Sequence, residues 1–376
     1  NPLPGTRQSV YGVPVVNRVN DFWNTTLGSG IKIAGTTGWV AEVIWQDRDS
    51  RVIDFCSSTG TGTEDNFAGT GSERFYFKPR PGAWGNVLIG VRLKTGGDGY
   101  LWSWHLWITG YNPDEAPSSW QENVFAYTIP GGGQVHHYTG GSWNTTAYTN
   151  KFIMDRNLGA ASADRSATLA ATRGLYYQFG RKDPFPATHN SFSTVTLYNI
   201  AGQNGKTGNV AIPITENQSS FEGAVKNPTT FYAPPGSGDW LLNNDYYTAL
   251  WNNPSTWNTI SAAGKSFFDP CPPGWKLPIN GTWNMFAIGN VNNPSNYNSG
   301  GNDAGWEFYM DNVLKNAWAY YPASAMGTDR VAGYCWSSTP INTTHCHHLS
   351  FFAATMFTQG MSVRGSGFPV RCVQEE

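Results

Sequence analysis

Residues 333–372, GYCWSSTPINTTHCHHLSFFAATMFTQGMSVRGSGFPVRC, decide how this chain is read. Tyr334 and Trp336 sit on a short β-prone run, SSTP is a turn signal, and residues 367–372 read as a compact strand closed by a cysteine. Between them, Leu349, Phe351 and Ala353 alternate as one face of a strand, because strand side chains point to opposite sides with period two. The alternate positions, His348, Ser350, Phe352 and Ala354, share no size, polarity or charge. A core face selects volumes and a solvated face selects polar groups. A mixed face with an outward Phe, beside Met356, Phe357 and Met361, reads as a recognition surface that the rest of the chain holds out.

The 376 residues are enough for two domains with separate cores. Charged residues make up 13 %, roughly half the ~25 % usual for soluble domains. Aromatics reach 15 %, with 17 Trp, and there are 43 Gly and 23 Pro. Few charges, many aromatics and frequent turn residues describe a loop-rich, β-rich globular protein. A net charge of −2 without charge runs gives no electrostatic basis for binding nucleic acid or an anionic membrane. No apolar run approaches the ~18 residues of a membrane span. The opening NPLPG lacks a secretory-signal pattern and reads as a mature or trimmed start.

Five cysteines, Cys56, Cys271, Cys335, Cys346 and Cys372, include no CxxC pair, which disfavours a zinc ribbon. Cys271 in DPCPPGW and Cys372 in PVRCV lie beside rigid, aromatic sequence and are expected to pair; buried free thiols are the alternative. A disulfide would imply an oxidising, extracytoplasmic location.

From residue 11 to 109 the segments YGVPVV, WVAEVIW, RFYFKP, NVLIGVRL and YLWSWHLWIT read as strands separated by turn clusters. Their length and spacing suggest an immunoglobulin-like β-sandwich over residues 1–112. Residues 113–121 have the composition of a linker, and 122–376 form a second domain. There, residues 151–158 read as a strand, and residues 166–179 and 239–252 as helices, the first stopped at Arg181-Lys182-Asp183-Pro184. Long polar loops in such a domain are usually functional or stapled.

FIMDRNLGA, GLYYQFGRKDPF, FFDPCPPGWKLP, GYCWSSTP and GFPVRCV occur in this order. Together they resemble the Bacteroidetes-type C-type-lectin-fold domains that serve as variable proteins of diversity-generating retroelements, distant relatives of the formylglycine-generating-enzyme fold. The resemblance implies an α+β architecture in which a lectin-fold domain with few helices follows the sandwich. It also implies a variable segment over about 333–364 and no catalysis. Tyr334, Trp336, Leu349, Phe351, Arg364, Gly367, Phe368 and Cys372 match the family's scaffold positions. Its variable positions fall on Ile341, Asn342, Thr343, His345, His347 and His348, and then on Ser350, Phe352, Ala354, Met356, Phe357, Gln359 and Met361. Cys335 departs from the aromatic usual after the tyrosine.

His345, Cys346, His347 and His348 cannot all reach one metal ion from a strand, since neighbours point to opposite faces. His345 with His347, or Cys346 with His348, could reach one ion, but no resident metal is expected, with calcium kept as the possible exception. Calcium, the other lectin-fold expectation, would have only residues 251–254 and 302–303, which offer amides and a single acid. Cys335 and Cys346, across an expected hairpin, are the sole candidates for an oxidase thiol pair, and no base or acid cluster activates them. His136-His137 read as a loop pair and Asp155-Arg156 as a solvent-side or structural ion pair. The expected function is non-catalytic binding of a protein or glycan by an exported, surface-displayed receptor or adhesin. The alternatives are a pilus or cell-wall tip subunit and a formylglycine-type oxidase.

Overall fold

The computed structural model describes residues 9–20, 22–23, 33, 35–71, 73–97, 99–113, 124–126, 134–139, 142–147, 152–186, 196–202, 213–236, 238–242, 250–251, 265–283, 297–298, 305–309, 318–324, 332–352 and 355–375. These residues are mostly β-sheet, and no helix among them is long and apolar enough to cross a membrane. The chain divides into two compact units.

The first unit contains β1 (Tyr11–Pro14), β2 (Gly38–Gln46), β3 (Ile53–Phe55), β4 (Asn66–Thr70), β5 (Arg74–Pro79), β6 (Gly85–Leu93) and β7 (Trp102–Ile108). They form two antiparallel sheets, β1-β5-β3 and β4-β2-β6-β7. β1, β2, β5, β6 and β7 fall on the β-branched and aromatic runs quoted above, whereas β3 and β4 lie outside them. Side chains of both sheets meet where the Phe75 and Trp104 rings lie 5.4 Å apart. The first segment of this unit ends at Asn112, and the unit also takes in residues 193–213 and 219–230. Main-chain pairing of Tyr198 with Gln46 draws in the first of these segments. The helix Phe221–Lys226 is tied by the Lys226 carbonyl to the Tyr100 N–H and by a Phe221–Phe22 ring contact of 5.5 Å. The second domain is therefore not the continuous 122–376 expected. Such excursions depend on long-range pairing and leave no local signal in composition.

The second unit begins with β8 (Val124–Ala126), β9 (Gln134–Thr139), β10 (Ser142–Ala147), β11 (Phe152–Met154) and β12 (Tyr176–Gln178). Next come β13 (Ile214–Thr215), β14 (Phe231–Tyr232), β15 (Trp275–Lys276), β16 (Tyr297–Asn298), β17 (Gly305–Tyr309) and β18 (Trp318–Pro322). β19 (Gly333–Pro340), β20 (His345–Phe351), β21 (Met356–Val363), β22 (Gly367–Pro369) and β23 (Val373–Gln374) complete it. β19, β20 and β21 form an antiparallel sheet with β20 in the centre. β23 pairs with β15 and β11, so the C-terminus closes against the start of the unit. The Cys271–Cys372 disulfide fastens the same place, joining residues 101 apart.

Several expectations are corrected here. Residues 166–179 are not one helix: helix covers only Leu169–Thr172, and Tyr176–Gln178 is strand. Gly174, at φ +71°, turns the chain away, and a Cβ there would lie 2.6 Å from the Leu158 carbonyl oxygen. Tyr176 then pairs with Pro369 and Phe185. Residues 239–242 and 250–251 are not helical, and the rest of that expected helix lies outside the described residues. SSTP belongs to β19, and the turn comes at residues 341–344. His136 and His137 lie on a strand, β9, rather than a loop. Asp155 and Arg156 do form the ion pair read from sequence, at 2.7 Å.

Candidate functional site

The β19–β20–β21 sheet has two faces, and register assigns each residue to one of them. Cys335 pairs with Leu349 and Phe351 with Met356. This face packs on Ile279, Trp283, Trp306, Phe308 and Tyr321, with Leu349 and Phe351 fully buried. The alternation read from Leu349 and Phe351 is therefore that of a core face.

The opposite face is the main correction. Trp336 pairs with His348 and Tyr334 with Ser350. His348 and Ser350 are each 3 % exposed, and His347 on the first face is 4 % exposed. None of the three points outward. A second aromatic layer covers His348, whose ring lies 5.2 Å from Phe368 and 5.3 Å from Tyr334. Trp336 is sealed in the same layer by Phe179 and Phe368, and its Nε1 donates to the Tyr177 carbonyl at 2.8 Å. Gly360 sits directly over His348, where an added Cβ would meet the imidazole at 2.5 Å. The Ser362 hydroxyl and His348 Nε2 share a hydrogen bond of 2.9 Å. Burial holds the His348 pKa down to about 4 and lowers that of His347. The mixed chemistry of this face reflects packing between aromatic rings rather than exposure.

What stands out into solvent is the rim. Met361 is 65 % exposed and Phe357 52 %. Phe357 touches Phe352 at 6.3 Å between centroids, and Phe352 touches Tyr334 at 6.0 Å, both edge-on. Tyr334, read from sequence as scaffold, is thus the half-buried inner end of an aromatic row. Asn342 is exposed, while Ile341, Thr343, His345, Phe352, Met356 and Gln359 are half-buried. The Asn342 side chain builds the turn it occupies, accepting from the Thr344 and His345 N–H groups at 2.9 and 2.8 Å. Ala354 lies outside the described residues.

Two buried devices fix this rim. Arg364, just after β21, grips Asp239 through Nε at 3.2 Å and Nη2 at 2.5 Å, with neither side chain exposed. The Gly365 N–H donates to the Gly238 carbonyl at 2.8 Å beside that pair. Gln178 then ties β12 to the same corner, donating to the carbonyls of Tyr232 at 2.6 Å and Gly365 at 2.8 Å.

Cys335 and Cys346 lie on opposite faces, since Cys335 pairs with Leu349 whereas Cys346 pairs with Pro340. Both are buried free thiols. Burial pushes the Cys335 thiol up to about 12 and the Cys346 thiol well above its ordinary value. No group of three or more His, Cys, Asp or Glu among the described residues is placed to hold a metal ion. Of the residues considered for calcium, Trp251 is buried and donates to the Arg181 carbonyl. Residues 252–254 and 302–303 lie outside the described residues. Comparison with known proteins finds no matching family, no matching curated protein and no matching solved structure.

Proposed function

We propose that the chain is a non-catalytic receptor or adhesin exported to a cell surface, with a binding rim made by the turn at 341–344, Phe352 and the outer side of β21. One observation carries this reading. Residues 341–363 contain no Asp, Glu, Lys or Arg, yet β21 supplies two of the five large apolar side chains exposed among the described residues. Exposed aromatic and Met side chains on a rigid sheet suit a binding hot spot, because they bring large contact area and adaptable shape. The rim stands on the buried ion pair and the aromatic layer, so its outward side chains exchange without touching the core. That separation is what retroelement diversification of a lectin-type scaffold requires, and an immunoglobulin-like first unit would present it. A disulfide suits an exported protein. Unpaired thiols on opposite faces, with pKa values raised by burial, argue against an oxidase.

The test is binding of the labelled chain to a panel of purified surface proteins and glycans, beside a variant with Phe352, Phe357 and Met361 all changed to Ala. Loss of a hot-spot aromatic costs about 2 kcal/mol or more, which is roughly a thirtyfold weakening. A ligand held equally well by both chains would place the site elsewhere.

A further inference from the structure

Beneath the rim lies a group of polar side chains that the recognition surface does not use. Asn280 and Thr282 belong to the 3₁₀ turn Asn280–Trp283, and both are fully buried. The turn packs across β19, β20 and β21, on the face carrying Leu349 and Phe351, since Ile279 and Trp283 join their cluster. Its position along the sheet is set by three hydrogen bonds. The Asn280 N–H donates to Thr339 Oγ1 at 3.2 Å, the Ser338 N–H to the Pro278 carbonyl at 2.7 Å, and Trp283 Nε1 to Ser337 Oγ at 2.9 Å. Pro340 pairs with Cys346, so the turn lies beside the end of β20 where His347 follows. His347 shares the Leu349 face by alternation.

Neither amide atom of Asn280, nor the Thr282 hydroxyl, nor either ring nitrogen of His347 has a hydrogen-bond partner in the protein. The main chain of Gln359 and Gly360 lies close enough to His347 to raise its pKa against the larger effect of burial. A buried polar atom without a partner costs about 1–3 kcal/mol, and native proteins carry few of them. Five such atoms on three side chains along one seam make a pattern with its own chemistry. An amide, a hydroxyl and an imidazole kept neutral by burial together offer donors and acceptors and no charge.

We infer that Asn280, Thr282 and His347 line an internal site for ordered water between the 3₁₀ turn and β20. Water both donates and accepts, makes about three hydrogen bonds when buried, and carries no charge into the interior. Such a site explains how β20 buries a polar side chain at 347 against an aromatic core.

Thr282→Val removes the hydroxyl and keeps the shape, so its sign is diagnostic. A hydroxyl bonded to water leaves that water short of a partner when deleted, and Tm falls by about 2–4 °C for each kcal/mol lost. A dry, unpaired hydroxyl is a burden, and deleting it raises Tm or leaves it unchanged, which overturns the inference. Should the variant fail to fold, a high-resolution crystal structure of the unaltered chain decides the matter. A solvent oxygen within about 3.2 Å of Thr282 Oγ1 and of Asn280 or His347 is expected. Direct bonds among these three side chains, or an empty seam, would overturn the inference. Neither measurement involves the rim's ligand, so failure here leaves the binding reading standing.

Discussion

Asp239 and Arg364 are 125 residues apart and meet as a fully buried two-point ion pair. The pair joins the end of β21 to the loop that follows β14. Its guanidinium and carboxylate planes fix orientation as well as distance. Removing one partner strands the other charge in the interior, which costs about 3–5 kcal/mol. Asp239→Ala should therefore lower stability by that order in a denaturant melt. Asp239→Leu combined with Arg364→Met should recover much of the loss, because matched apolar replacement of a buried pair is often near neutral. Equal losses in the single and double variants would mean that the pair does not organise this corner.

The sheet separates core from rim within single strands. Leu349→Ala and Phe351→Ala should each cost about 2–5 kcal/mol, as core truncations do. Gly360→Ala should also destabilise, since its Cβ would overlap the His348 ring. Phe357→Ser and Met361→Ser should stay within about 0.5 kcal/mol of the parent, as exposed sites do. Thermal melts ranking the rim pair with the core pair would contradict this division.

Acid should weaken the fold before carboxylates protonate. His348 ordinarily titrates near 6.5, and burial holds its folded pKa at about 4. Between those values the unfolded chain takes up a proton that the folded chain refuses, so stability falls as pH drops through the window. Below about 4 both states are protonated and this loss stops growing. At about 1.36 kcal/mol per pKa unit, the effect is on the order of 3 kcal/mol. His105, which burial lowers to about 3, acts in the same direction. His348→Asn should flatten the Tm–pH slope by one proton between pH 6.5 and 4. An unchanged slope would show that His348 is not buried as a neutral ring.

How legible this was differs residue by residue. RFYFKP and NVLIGVRL carry enough β-branched and aromatic side chains between turn clusters that their strands appear where expected. Rigid flanking sequence was enough to pair Cys271 with Cys372. Period-two alternation sorted Leu349 from His348 correctly, but it reports which residues share a face and not what covers that face. Phe179 and Phe368, which close the second layer, lie far from β20 in sequence or beyond its hairpin. The Ala-rich run at 166–179 has helical propensity, yet Gly174 and pairing of Tyr176 with Pro369 override it. The rim was half legible: Phe357 and Met361 are too apolar for an ordinary surface, whereas His348 and Ser350 stand out for the same mismatch and are buried. Asp239 gave no sign of its partner, because ion pairs across 125 residues leave no local pattern.

The central claim is that the rim varies on a fixed scaffold, and sequencing the gene for this chain from many independent isolates tests it most directly. The account predicts differences concentrated in the rim codons 341–345, 352 and 356–361, falling mainly at adenines. It also predicts a second, unvaried copy of the segment nearby and constant codons for Tyr334, Trp336, Leu349, Phe351, Arg364, Phe368 and Cys372. Differences spread evenly along the gene, or a segment identical in every isolate, would contradict it.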